Sequence, residues 1–274
     1  MARSRIGEEV HERLVGAGCV AADDEAAELL AHAPDTATLL AWVDRRVQGE
    51  PLAWIVGGTR FCGRWVGVER GVFVPRAQSA ELACRAADLL PEAGRAADLC
   101  TGSGAIAAYL AWARPRAQVV GTDIDVRAAT CARRNGVATL RTDLDHGLCD
   151  GAFDVVTAVA PYVPTDALDL LPPDVTRYEP RGALDGGMDG MDCVRRLVPG
   201  AARLLRPGGS LLIEIAGGEE AIVEPILAAA GFSQPVYWAD TDGDLRGLAA
   251  RRVGTAAPAA RACRPGPCRP RNVP

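Results

Sequence analysis

Apolar, strand-like runs alternate with helical segments from Arg95 to Ala216, which predicts an α/β fold with a parallel, doubly wound sheet. A glycine turn, Asp98-Leu-Cys-Thr-Gly-Ser-Gly104, follows the first run and opens a helix, as expected of a ligand crevice at the carboxyl end of a strand. The last two β-like segments, at about 234–239 and 245–253, are joined by the short turn Asp240 to Asp244. Such a turn joins only antiparallel strands, so the sheet should carry an antiparallel hairpin at its edge.

Three segments open the chain, at about 5–18, 23–32 and 35–48, separated by Gly16-Ala17-Gly18 and by Pro34. Leu29, Leu30, Leu39, Leu40, Val43 and Val47 recur at helical spacing, with Asp23 and Asp35 as expected N-caps. Residues 1–50 therefore read as a small helical domain, with so little apolar material that it must pack on the rest of the chain or on a partner. From Leu52 to Val74 the pattern turns β-rich and is broken by glycines, predicting a β-hairpin linker over 51–78 in which Pro75 ends the strands.

A helix at about 79–90 opens the main domain, 79–254. Strands are expected at Arg95–Cys100, Gln118–Ile124, Ala138–Thr142, Phe153–Ala160 and Ser210–Ala216, with helices near 105–113, 126–135, 190–205 and 219–230. From Thr255 onward the chain carries five prolines and no apolar periodicity, so 255–274 reads as a disordered tail. No internal repeat is visible.

Composition narrows the function. At 274 residues and 49% hydrophobic content the chain can bury a substantial core, which excludes a wholly disordered or collagenous protein. No apolar run reaches the ~18 residues of a membrane span, and Met1 to Val10 has no apolar signal segment, so a soluble, cytoplasmic protein without a membrane partner is expected. All 30 basic residues are arginine, a bias that says little about ligands, and the net charge of −5 argues against direct binding of nucleic acid. The nine cysteines are scattered without a CxxC pair, so neither a disulfide framework nor a zinc site is indicated. His11, His32 and His146 lack ligand spacing and suit surface or capping roles, while Trp42, Trp54 and Trp65 suit the core or a domain junction.

The residues that carry chemistry lie at the ends of successive strands. Gly102 and Gly104 allow a tight bend and let a ligand approach the helix N-terminus, although glycines there also serve simply as turn formers. Asp123 follows the next strand about twenty residues on, where an acid can accept both hydroxyls of a ribose; Asp125 is the expected cap of the next helix. Asp143, followed by Leu144, closes the third strand and is placed to hold an adenine amino group. These features fit a dinucleotide or S-adenosylmethionine. Three details favour the methyl donor: Asp98 sits inside the glycine motif, where it can receive an ammonium or position the backbone; Ala107 stands in place of a third glycine; and the sheet ends in an antiparallel hairpin. The fourth strand runs out through Val159-Ala-Pro-Tyr162, in which Pro161 fixes the chain, the Ala160 carbonyl is free to face a ligand and Tyr162 can wall an acceptor pocket.

Together these segments resemble the N(5)-glutamine methyltransferase family that modifies peptide chain release factors, often called HemK, over residues 1–253. The resemblance rests on Arg45 to Pro51 with Ile55 to Phe61 and Val74-Pro75-Arg76, on Asp98 to Ile106, on Gly121 to Ile124, and on Tyr178 to Arg181 with Ala183-Leu184 and Asp185 to Gly190. It implies a Rossmann-like class I methyltransferase sheet of seven strands, matching the strand count, and an N-terminal helical domain that docks a protein substrate. It further implies S-adenosylmethionine as cofactor, held by Asp98, Cys100, Thr101, Gly102, Ser103, Gly104, Asp123, Asp143 and Leu144. Pro75, Arg76 and Glu179 would line the substrate side and residues 159–162 the acceptor, without a metal.

The sequence departs from the family in two places. Cys100 stands where glycine is usual, and Val159-Ala160-Pro161-Tyr162 stands where the family reads Asn-Pro-Pro-Tyr. In the family the asparagine side chain and the following carbonyl accept hydrogen bonds from the substrate amide, and Val159 accepts none. Losing such an acceptor costs roughly 1–3 kcal/mol, so glutamine as the acceptor is weaker than the methyltransferase reading itself. A small-molecule N- or O-methyltransferase and a silent cofactor-binding interaction protein are the alternatives; a dehydrogenase is a more distant one.

Overall fold

The computed structural model describes residues 2–254; the expected tail, with Cys263 and Cys268, lies outside the described residues. Helices α1 (Ala2–Gly16), α2 (Ala22–His32) and α3 (Thr36–Val47) form the N-terminal bundle. They bury Val10, Leu14, Leu29, Leu39 and Val43 together, and Ile55 from beyond the bundle completes that core. Asp35 caps α3 as expected, accepting from the Thr38 amide at 2.7 Å. Asp23 does not cap α2: the helix starts one residue earlier, and Asp23 instead meets His11 at 2.9 Å. His32 stacks on Trp65 with ring centroids 4.7 Å apart, a contact between the bundle and the segment after it.

The linker differs from its expectation. Leu52–Val56, read as strand, is a short helix, α4. A five-residue apolar run has no period long enough to separate strand from helix, and burial on the bundle decides the matter. Only β1 (Gly58–Phe61) and β2 (Arg64–Gly67) form the hairpin, and the chain from Val68 to Gln78 is irregular. Trp54 is buried in this linker, its indole N–H donating to the Val72 carbonyl at 2.9 Å.

Helix α5 (Ser79–Leu89) leads into a seven-stranded sheet formed by β3 (Arg95–Leu99), β4 (Gln118–Asp123), β5 (Ala138–Arg141), β6 (Phe153–Ala158), β7 (Leu205–Glu214), β8 (Val236–Ala239) and β9 (Leu245–Arg251). Its order is β5-β4-β3-β6-β7-β9-β8, with β9 antiparallel to both neighbours and every other pair parallel. Side-chain alternation sends Ala97, Val156 and Leu211 to one face, against α9 (Asp192–Leu204) and α10 (Glu220–Ala229). Ala96, Val155 and Leu212 go to the other face, against α5 and α6 (Ala105–Ala113). The remaining crossover helix, α7 (Val126–Arg134), is capped by Asp125, which accepts from the Arg127 amide at 2.6 Å.

The chain leaves β3 toward β4 and β5, then returns to β6 on the other side of β3. That reversal opens a crevice beyond the carboxyl ends of β3 and β6, where Cys100 and Val159 emerge. The stretch between β6 and α9 holds two 3₁₀ turns and α8 (Pro173–Tyr178), none of which the sequence pattern predicts.

Candidate active site

Two cavities meet at the crevice. The first, of about 410 Å³, is lined by Cys100, Gly102, Asp123, Ile124, Asp143 and Leu144, together with Val159 and Pro161. The second, of about 680 Å³, lies between the helical bundle and the sheet and is lined by Arg46, Arg76, Gln78, Val159, Ala160 and Tyr162, among others. Val159 and Phe73 border both, so the residue in the asparagine position stands where the cavities join.

The glycine loop is held from below. Asp98 is buried beside β6 and accepts from Thr101 Oγ1 at 2.6 Å and Thr157 Oγ1 at 2.7 Å. These contacts tie the loop, through Thr101, to the neighbouring strand, through Thr157. Gly121, on β4, leaves room for Thr101, which a Cβ there would meet under 3.0 Å. Cys100, Gly102 and Gly104 all have left-handed backbones, with φ of 55°, 57° and 81°. For Cys100 this costs about 1–2 kcal/mol relative to glycine, which accounts for the usual preference; its thiol is hydrogen-bonded to that of Cys193 on α9. Ser103 is buried, and its carbonyl accepts from Asn135 at 2.8 Å.

Burial pushes the Asp98 carboxyl up from its ordinary 3.8 to about 6, against the opposing pull of the two threonine hydroxyls. A folded-state pKa raised in this way gives a stability contribution that is fully present below the unfolded value and is lost as pH rises through about 6. Asp98→Asn removes that loss. Between about pH 4 and pH 7 the variant should gain up to about 3 kcal/mol on the natural protein, read by urea unfolding at several pH values. A pH-independent difference would contradict the assignment.

Asp123 ties the loop to the next helix: one carboxylate oxygen accepts from the Gly102 amide and the other from the Asp125 amide, both at 2.9 Å. Burial raises its pKa. Each oxygen retains a lone pair, and the side chain borders the first cavity. Ile124, 66% exposed beside it, offers an apolar platform that sequence reasoning misses, although an apolar residue between two acids is its signal. Asp143 is ion-paired with Arg196, and Leu144 is buried with φ 47°.

The donor set suits S-adenosylmethionine. Asp123, Asp125, Asp143, Asp185 and Asp192 line the first cavity; Asp143, Asp185 and Asp192 are paired with Arg196, Arg181 and Arg195, and Asp123 and Asp125 beside the glycine loop leave a field that favours a sulfonium and ammonium over a pyrophosphate. A Cβ on Gly102 would project into open space, leaving room for a ligand against the loop.

At the acceptor end, no hydrogen bond reaches the Ala160 carbonyl among the described residues. Tyr162 donates to Glu214 Oε1 at 3.2 Å, and its pKa is driven up by burial and then by that carboxylate. The loop from Asp185 to Gly190 is zipped onto the strand exit through Val163 N to the Leu184 carbonyl at 3.0 Å and Gly186 N to the Val163 carbonyl at 2.8 Å.

The expected substrate residues separate. Arg76 lines the second cavity, and Pro75 lines a small pocket beside Asp98. Glu179 lies outside that cavity: it is buried and accepts from Arg76 Nη2 at 2.7 Å, its pKa raised by burial despite the guanidinium. It holds Arg76 in place.

Sheet order, the antiparallel β8–β9 hairpin at the edge and the crevice define the fold of the class I S-adenosylmethionine-dependent methyltransferases. Residues 79–163 match the family model described as methyltransferase small domain. The release factor glutamine methyltransferase of Geobacter sulfurreducens is 38% identical over 207 residues, covering 73% of each chain. That of Moorella thermoacetica is 43% identical over 200 residues, covering 69% of this chain and 70% of its own. Among solved structures, the E. cuniculi Mtq2–Trm112 complex, responsible for methylation of the eRF1 translation termination factor, has a TM-score of 0.51 at 22% identity, covering 67% of this chain and 99% of that one. The protein belongs to the release factor glutamine methyltransferase family.

Proposed function

We propose that this protein methylates the side-chain amide nitrogen of a glutamine in a peptide chain release factor, with S-adenosylmethionine as donor. The observation that carries the reading is the junction at residues 159–162, where Val159 and Pro161 line the first, cofactor-sized cavity while Ala160, with its unpaired carbonyl, and the fixed Tyr162 line the second. Asp123 would hold the ribose hydroxyls, Ile124 and Leu144 the adenine faces with Asp143 at its rim, and the Cys100–Gly104 loop the methionine end. The release factor would dock across the groove between α1–α3 and the sheet.

The bound donor supplies an electrophilic methyl: the amide nitrogen forms the new N–C bond, the C–S electron pair goes to sulfur, and one amide proton leaves to water. An amide lone pair is delocalised, so the protein's main contribution is to orient it. The Ala160 carbonyl accepts one amide N–H and aims the nitrogen along the axis from the second cavity into the first.

The test is transfer of labelled methyl to unmethylated release factor, with the modified residue mapped. The natural protein should modify a glutamine, and Val159→Asn, which adds an acceptor at the junction, should modify the same residue. Turnover on small molecules, with release factor untouched by both proteins, would replace the reading with a small-molecule methyltransferase; binding of the donor without turnover would leave a silent interaction protein.

A further inference from the structure

We propose that the side-chain carbonyl of Gln78 takes the place of the missing asparagine and accepts the second N–H of the substrate amide, an inference that rests on the glutamine-methylation reading. A primary amide has two N–H donors, and one acceptor leaves it free to rotate about the remaining bond. The Ala160 carbonyl is one acceptor; Val159 provides none.

Gln78 borders the second cavity with Val159, Ala160 and Tyr162. Its orientation is chemically determined. Its Nε2 donates to Glu214 Oε1 at 3.2 Å and lies 3.5 Å from the Tyr162 hydroxyl. Glu214 is buried at the carboxyl end of β7, where Ser79 Oγ donates to its other oxygen at 2.6 Å. Glu214 Oε1 accepts from both Gln78 and Tyr162, so turning the Gln78 amide over would set oxygen against oxygen. The NH2 end therefore faces Glu214, and Oε1 is left on the side away from it, with no protein donor among the described residues. Of the other charged side chains of the groove, Arg76 only donates, and Glu25 and Arg46 pair with each other at 2.6 Å.

The geometry makes Gln78 and Val159 exchangeable in function, and that exchange is the test. Four proteins are compared on unmethylated release factor: natural, Gln78→Leu, Val159→Asn and the double variant, each with its affinity for S-adenosylmethionine and its Tm. Gln78→Leu should lower kcat at least 30-fold with cofactor affinity unchanged, and adding Val159→Asn should return kcat to within threefold of the natural protein. A Gln78→Leu variant within threefold of natural overturns the proposal. So does a loss that Val159→Asn does not restore while Tm and cofactor affinity hold, since Gln78 would then act only by packing Glu214 and Tyr162. If the natural protein methylates no glutamine in the same assay, the functional reading itself fails and the inference falls with it.

Discussion

Asp123→Ala lowers the affinity for S-adenosylmethionine by at least about 100-fold, equivalent to roughly 2.7 kcal/mol. The carboxylate does two things at once. It holds the Gly102 and Asp125 amides, each a charge-assisted bond of about 1.5–3 kcal/mol, and it presents its remaining lone pairs to the cavity. Alanine loses the ribose acceptors and also frees the loop that shapes the methionine end. Asp143→Ala, by contrast, removes a partly exposed partner of Arg196 and should change affinity by less than about fivefold, as solvent-screened ion pairs are weak. Calorimetric titration of both variants separates the roles. Equal affinities for Asp123→Ala and the natural protein would move the ribose away from this strand end.

These two acids are legible in the sequence for the same reason that Asp125 is: each depends on chain within a few residues of a strand end. The strand count and the antiparallel edge are readable on similar grounds, since alternation and turn length are local. Leu52–Val56 reads wrongly as strand because its apolar run is short and its conformation is decided by burial on the bundle. Of the side chains that sequence reasoning misses, Ile124 has a local signal between two acids, whereas Gln78 depends on long-range packing. Gln78 meets Glu214 across 136 residues of chain, and no spacing rule links them. Glu214 has a local signal nonetheless: it closes the apolar strand Ser210-Leu-Leu-Ile-Glu214 just as Asp123 closes β4. Glu179 shows the converse, because the resemblance places it on the substrate side while the fold buries it under Arg76. Family motifs mark residues that matter without saying whether they touch the substrate or hold what does.

Gly190→Ala should cut kcat on release factor by about 100-fold and cost about 2–4 kcal/mol of stability. Two physical terms add. The backbone at Gly190 has φ 79°, where an L-residue is strained, and a Cβ there would meet the Tyr162 carbonyl oxygen under 3.0 Å. That oxygen is backbone and cannot rotate aside, so relieving the clash must shift the Asp185–Gly190 loop against the Pro161–Tyr162 exit that carries the Ala160 carbonyl. Misplacing an orienting group by about 1 Å is enough for a loss of this size. Gly208→Ala separates the terms, because it has the same φ of 79° but nothing within 4 Å of its Cβ. It should cost only the backbone strain, about 1–2 kcal/mol, with kcat unchanged. Chemical unfolding and methyl-transfer rates for the pair therefore distinguish a loop that merely folds from one that sets the acceptor geometry. If both variants retain full kcat, the strand exit is rigid without the Asp185–Gly190 loop, and the orientation of the Ala160 carbonyl must be fixed by β6 alone.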